Sequence, residues 1–140
     1  MKKIAAIFSL ITFVLLHSGY AVGQETVVAS GQLDNAFSSW GKSSLKGDWK
    51  IVTAEGKTFI ELGDDFKAIE GPDVKIFLSP KASDSITGDN ATEGSALVQQ
   101  ISVFEGKTRI EIPSDVSLDG YQSLVFHCEA YSKLWGVSPL

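Results

Sequence analysis

The chain has 140 residues, a formal net charge of −5 and a single cysteine. This length suits one domain, which typically spans about 100–150 residues. One cysteine excludes an internal disulfide and a four-cysteine zinc site. The negative charge argues against a nucleic-acid partner, because such proteins neutralise phosphates with basic side chains.

The N-terminal segment has the pattern of a secretory signal peptide. Lys2 and Lys3 precede an apolar run at 4–16, and small residues follow up to Gly23. This run is shorter than the about 20 residues that cross a membrane, so we expect cleavage and no membrane span afterwards. Cleavage after Ala21 or Gly23 would leave a periplasmic or secreted chain, and the short basic start is typical of bacteria. The signal peptide is assigned to 1–23 and the folded domain to 24–140.

The rest of the chain predicts short strands separated by turns. Alternating or β-branched residues recur, and no sustained helical period is present. Turn signals about every 8–12 residues are typical of an antiparallel β-sandwich, so we predict an all-β fold with a single sandwich domain. The predicted strands are 26–30, 49–54, 58–62, 74–79, 96–104, 108–112 and 121–129, with hairpins around Glu55-Gly56-Lys57 and Glu105-Gly106-Lys107 and a long solvated loop at 80–95.

Cys128 is the first candidate functional residue. In an extended strand its side chain shares one face with Leu124 and Phe126, and that face is apolar. A cysteine on such a face is usually a small buried core residue, and a thiol in apolar surroundings is inert. The other interpretation is a redox thiol or a haem ligand.

His127 is next to Cys128 but points to the opposite face, where we expect it to be half exposed. In a regular strand the two side chains therefore cannot bind one metal ion or form a catalytic Cys–His pair, although a β-bulge would bring the two side chains to the same face. Signal cleavage leaves one histidine and no methionine, which excludes bis-His and His/Met haem within one subunit. Without a Cys-x-x-Cys-His motif, a c-type haem is excluded, whereas other haem remains possible.

The remaining candidates have simpler structural interpretations. Asp64 and Asp65 are consecutive residues whose carboxylates diverge in a turn, so a turn role is favoured over acid–base chemistry. The polar residues of the 80–95 loop do not match the calcium-binding pattern of an EF-hand, and no metal site is predicted. The aromatic residues are core residues or the lining of a ligand cleft. These residues are Asp84, Asp89, Asn90 and Glu93 in the loop, and Trp40, Trp49, Tyr131 and Trp135 among the aromatics.

Taken in order, the short motifs resemble the DM-thirteen domain family, also described as "electron transfer DM-thirteen". The similarity covers about residues 30–140. The motifs are Gly47-x-Trp49-x-Ile51, Asp65-Phe66-Lys67, Gly71-Pro72-Asp73-Val74-Lys75-Ile76-Phe77-Leu78-Ser79, Tyr121-x-Ser123-x-Val125-x-x-Cys128-x-x-Tyr131 and Trp135-Gly136. The resemblance implies an extracytoplasmic β-sandwich and places the family's redox cysteine at Cys128, either as a bare thiol or as the holder of a group such as haem.

Two functional hypotheses follow. In the first, the domain takes part in extracytoplasmic electron transfer or thiol redox chemistry through Cys128, which forms a sulfenate or a mixed disulfide with an unidentified protein partner, or ligates haem. In the second, the chain is a non-catalytic binding or adhesion module, and Cys128 is a structural core residue. We do not expect a stand-alone enzyme, because no nucleophile, base and orienting group occur together.

Overall fold

A computed structural model describes residues 23–33 and 45–140. The described residues form nine strands and two short 3₁₀ turns, with no α-helix. The predicted signal peptide falls outside the described residues except for Gly23. In the described part of the chain, no helix is long and apolar enough to cross a membrane.

The first sheet is antiparallel and has the strand order β1-β2-β3-β7, with β4 paired to the start of β2. β2 and β3 form the predicted hairpin: Ala54 pairs with Lys57, and the two turn residues Glu55 and Gly56 both have positive φ. Two such residues are typical of the type I′ turn that matches the twist of the flanking strands. The strands are β1 Thr26–Leu33, β2 Leu45–Ala54, β3 Lys57–Leu62, β4 Lys67–Ala68 and β7 Thr108–Glu111.

The second sheet is also antiparallel and has the order β6-β5-β8-β9. Its central strands β5 and β8 are rich in Val, Ile, Leu and Phe, as expected for strands that are covered on both faces. The strands are β5 Val74–Ser79, β6 Ala96–Gln100, β8 Ser123–Cys128 and β9 Lys133–Pro139.

The two sheets pack together around one shared apolar core. Phe66, which follows the first sheet's β3, lies 6.1 Å from Phe126 of the second sheet, measured between ring centroids. Trp49 on β2 donates a hydrogen bond from Nε1 to Ser138 Oγ on β9 at 2.9 Å. The all-β fold with two antiparallel sheets is therefore confirmed, and its arrangement is sandwich-like.

The sequence analysis was wrong about one hairpin and missed the final strand. The segments around Glu105-Gly106-Lys107 do not form a hairpin, because β6 pairs with β5 whereas β7 pairs with β3 in the other sheet. Glu105 instead makes an isolated bridge to Lys67. The final strand β9 was not predicted at all, although it forms an edge of the second sheet.

The 80–95 loop is not the fully solvated segment that we predicted. Its Ile86 and Ala91 are buried, and they pack with Val125 and Val137 on the outer face of the second sheet. This second cluster covers β8 on the side away from the main core. Every residue of β8 is consequently buried.

Candidate functional site

Cys128 is the last residue of β8, the strand that pairs with both β5 and β9. Its cross-strand partners are Val74, the first residue of β5, and Lys133, the first residue of β9. The cysteine therefore lies at the end of the second sheet, immediately before the exposed 3₁₀ turn Glu129–Tyr131.

The Cys128 side chain points into the core between the sheets. It belongs to the same buried cluster as Leu124 and Phe126, so the apolar face predicted for β8 is present. The residue is a free cysteine with an exposed fraction of 0%. A thiol in such surroundings reacts only when the structure around it opens.

His127 is buried, so our prediction that it is half exposed was wrong. It is only 4% exposed because the 80–95 loop covers it. Its Nε2 lies 2.8 Å from the Gly88 carbonyl oxygen, which can only accept, so the proton resides on Nε2. Nδ1 is buried without a hydrogen-bond partner among the described residues, and Phe77 meets the ring edge-on at a centroid distance of 6.4 Å.

A β-bulge is present next to these residues, but it lies on β9. Phe126 pairs with Gly136 and His127 pairs with Leu134, so Trp135 is the extra residue. The alternation along β8 is therefore preserved, and Cys128 and His127 face opposite sides of the sheet. They do not form a Cys–His pair, and the described residues contain no group of three His, Cys, Asp or Glu side chains that could hold a metal ion.

The surroundings of Cys128 do not fit a haem. A thiolate ligand needs a cavity of haem size that opens onto its sulfur. The Cys128 side chain is instead fully buried among the packed apolar side chains of the core.

Charged residues connect Glu129, the residue that follows Cys128, to the start of β5. Lys75 on β5 makes ion pairs with Asp73, at 3.2 Å, and with Glu129. The hydrogen bond to Glu129, supported by the one to Asp73, raises the pKa of Lys75. The Glu129 amide also donates to the Asp73 carbonyl oxygen at 3.1 Å. These contacts hold the 3₁₀ turn after Cys128 against the start of β5.

Asp64 and Asp65 do not form a pair of catalytic carboxylates. Asp65 Oδ1 accepts a hydrogen bond from the Asp48 amide at 2.9 Å, which is a turn-stabilising role. Asp64 is exposed in the turn that follows β3. The predicted turn role is therefore confirmed for Asp65.

The polar residues of the 80–95 loop are used to order the loop. Glu93 pairs with Lys81 at 2.6 Å. The Asn90 side chain accepts from the Thr87 amide at 2.8 Å and donates to the Ser85 carbonyl oxygen at 3.0 Å. These contacts explain how a segment rich in Ser, Thr and Asp folds over the sheet.

The three aromatic candidates within the described residues do not form one ligand cleft. Trp49 and Trp135 are 2% and 1% exposed, and both belong to the main core. Tyr131 is 53% exposed on the 3₁₀ turn after Cys128. Trp40 lies outside the described residues.

One feature that the sequence analysis missed is a row of charges on the outer face of the first sheet. Lys50, Glu61 and Arg109 are direct cross-strand neighbours on β2, β3 and β7. Glu61 lies 2.7 Å from Lys50 and 3.3 Å from Arg109. The hydrogen bond from Lys50 lowers the pKa of Glu61 against the opposing effect of burial. Lys50 and Glu61 also line a groove of about 400 Å³. Alternation along each strand could have predicted that these side chains point outward. The register that places the three residues side by side could not be predicted from the sequence.

A family model described as "Electron transfer DM13" matches residues 36–140 of this chain. No curated protein and no solved structure matches the chain. The match includes Cys128 and most of the core residues that surround it.

Proposed function

Because the chain belongs to the electron transfer DM13 family, we propose that it is an exported domain that carries out thiol redox chemistry at Cys128. Membership of the family supports a general role in electron transfer. Cys128 is the only cysteine of the sequence, and it lies within the matched residues. The presence of the only cysteine within the residues that match an electron transfer family is the observation that carries the proposal.

The chemistry that suits a single thiol is disulfide exchange with a partner. The Cys128 thiolate attacks one sulfur of a partner disulfide, which forms a mixed disulfide and releases the other sulfur as a thiolate. A thiolate of a second partner then attacks the first partner's sulfur in the mixed disulfide, which joins the two partners by a disulfide and releases the Cys128 thiolate. Two electrons thus pass from the second partner's thiol to the sulfur released from the first partner, and no second cysteine of this chain is required.

The position of Cys128 in the sheet supports this proposal. As the last residue of β8, it is followed at once by the exposed residues of the 3₁₀ turn. Leu124 is equally buried on the same face but lies about 14 Å further along the strand, at about 3.4 Å per residue. Only a local opening at the end of the sheet is needed to reach Cys128.

Trapping of mixed disulfides in cells tests the proposal. Cells that produce the tagged protein are quenched in acid, the free thiols are blocked, and the protein is separated without reductant. We expect reductant-sensitive adducts with the unaltered chain and none with Cys128→Ala. Val125→Ala, which alters a fully buried neighbour on the opposite face of β8, is the matched control and should keep the adducts. Adducts that persist in Cys128→Ala, or their absence from the unaltered protein, would overturn the proposal.

Export is tested separately by the N-terminus of the mature protein. The basic start, the short apolar run and the small residues near Ala21 and Gly23 support cleavage. We expect the mass of protein from the periplasm or medium to correspond to a chain that begins at Val22 or Gln24. A mass that retains Met1 would contradict export by this route.

The complete burial of Cys128 favours a second candidate function, a binding module whose cysteine is structural. The two functions predict opposite results for Cys128→Ala. A binding module would keep all of its cellular activity in this variant, whereas a redox domain would lose it while remaining folded.

A further inference from the structure

We infer that residues 69–72, which connect β4 to β5, form a lid that controls access to the Cys128 thiol. This inference rests on the proposed function, because it states how the buried thiol of that site is reached. We call residues 69–72 the connector.

The connector lies against the residues that flank Cys128 on the inner face of the second sheet. Val74 is the cross-strand partner of Cys128, and Trp135 is the β9 residue that lies in the same core cluster. A Cβ added at Gly71 would lie 2.8 Å from Val74 Cγ2 and 2.9 Å from Trp135 Cζ2. The backbone at Gly71 is therefore in close contact with both side chains, and it covers the end of the core where Cys128 lies.

Few contacts hold the connector in place. In the described part of the chain, residues 69–72 make no backbone–backbone hydrogen bond. The Ile69, Glu70 and Pro72 side chains are exposed. The Ile69 carbonyl oxygen accepts a hydrogen bond of 2.7 Å from Trp135 Nε1. A segment with exposed side chains and few backbone hydrogen bonds opens at a lower free energy than the sheet beneath it.

The other end of the core provides a matched internal comparison. There, Gly31 on β1 contacts Trp49: an added Cβ would lie 2.9 Å from Trp49 Cζ2. Trp49 Nε1 donates to Ser138 Oγ at 2.9 Å. Ser138 pairs with Leu124, four residues along β8 from Cys128. Both ends thus combine a glycine with an indole and one indole hydrogen bond, which is buried at Trp49 and partly buried at Trp135, but only one end contains the thiol.

Local opening is therefore expected at the connector, and global unfolding is not required for the thiol to react. Lifting residues 69–72 breaks the Trp135–Ile69 hydrogen bond and uncovers Val74 and Trp135 beside Cys128. Both sheets keep their strand pairing during this motion, because the connector belongs to neither sheet. A partner disulfide would then reach the sulfur from this end of the fold.

The test is the rate at which a maleimide labels Cys128 in the folded protein, compared with the rate of global unfolding. We expect Trp135→Phe to raise the labelling rate by about fivefold to tenfold, the effect of losing one hydrogen bond. Gly71→Ala should also raise it, because the added Cβ would lie 2.8 Å from Val74 Cγ2 and push the connector away from the core. Trp49→Phe and Gly31→Ala are the controls, and they should change the labelling rate only as far as they change global unfolding. The lid proposal would be overturned if the labelling rate rose equally in the connector variants and the control variants, or if it did not rise in the connector variants.

A second measurement uses the unaltered protein and so avoids variants that fail to fold. Hydrogen exchange of the indole Nε1–H groups is followed by NMR. We expect the Trp135 indole to exchange faster than the Trp49 indole, with the same dependence on denaturant as thiol labelling. Exchange of both indoles only through global unfolding would contradict the lid. Because neither measurement needs a redox partner, increased labelling without mixed disulfides in cells would refute the proposed function alone.

Discussion

Cys128 and His127 are consecutive residues, yet they lie in different buried regions on opposite faces of β8. Cys128 faces the core shared by the two sheets, and His127 bonds to Gly88 beneath the 80–95 loop. Alternation along a strand separates their side chains, and the bulge on β9 leaves that alternation intact. Substitutions at the two positions should therefore have independent effects.

His127→Phe tests this independence. The substitution fills a similar volume but removes the hydrogen bond to the Gly88 carbonyl oxygen, so we expect a loss of about 1 kcal/mol in the free energy of unfolding. Amide hydrogen exchange should increase in the 80–95 loop. Labelling of Cys128 in the folded state should stay at the unaltered rate, and an increase as large as that of Trp135→Phe would contradict the separation of the two faces.

Ile86→Ala tests whether the 80–95 loop is part of the core. Ile86 is 6% exposed and packs against the outer face of the second sheet. We expect the free energy of unfolding to fall by about 2–4 kcal/mol, as it does for truncations of buried isoleucine. Thr87→Ala changes the exposed neighbouring side chain and should have little effect. Equal, small effects in both variants would indicate that the loop is solvated.

Gly136→Ala tests the contact between the β9 bulge and the first sheet. Gly136 is the cross-strand partner of Phe126. A Cβ added at Gly136 would overlap the side chain of Leu45 on β2. We expect a loss of about 1–3 kcal/mol from overpacking. The same substitution should cost less in a Leu45→Ala background, since the overlapping atoms are then absent. Equal costs in the two backgrounds, measured by denaturant unfolding, would place the strain elsewhere.

Glu61→Gln tests the charge row on the first sheet. Because Lys50 lowers the pKa of Glu61 in the folded state, the ionised carboxylate stabilises the fold above its unfolded pKa of about 4.3. This stabilisation is lost as the pH falls through the folded pKa. We expect the unaltered protein to exceed Glu61→Gln in stability by about 1 kcal/mol at pH 7. The difference should shrink below about pH 4, and a difference that grew on acidification would contradict this assignment.

Local patterns predicted the elements that depend on neighbouring residues. The β2–β3 hairpin followed from Glu55-Gly56, and the inward direction of Cys128 followed from alternation along β8. Pairing between distant segments was not predictable in this way. A glycine turn at Gly106 does not indicate that the strands beside it enter different sheets, and β9 was missed because Gly136 and Pro139 weaken its strand pattern.

The depth of burial was also unpredictable, because distant segments provide the cover. His127 is buried by a loop some forty residues away in the chain, since Gly88 is 39 positions from it. The turn-rich composition of that loop concealed the apolar contacts of Ile86 and Ala91. Similarly, the contact of Gly71 with Val74 and Trp135 depends on the path of the connector, which no local pattern determines.

Disulfide exchange by the folded protein tests the central claim most directly. The purified protein is incubated with glutathione disulfide under native conditions, quenched in acid at intervals and weighed by intact mass spectrometry. We predict that one glutathione is added per chain at Cys128, faster than the protein unfolds globally, and that a thiol reductant removes it. A protein that gains glutathione only at its global unfolding rate would show that Cys128 is a structural core residue.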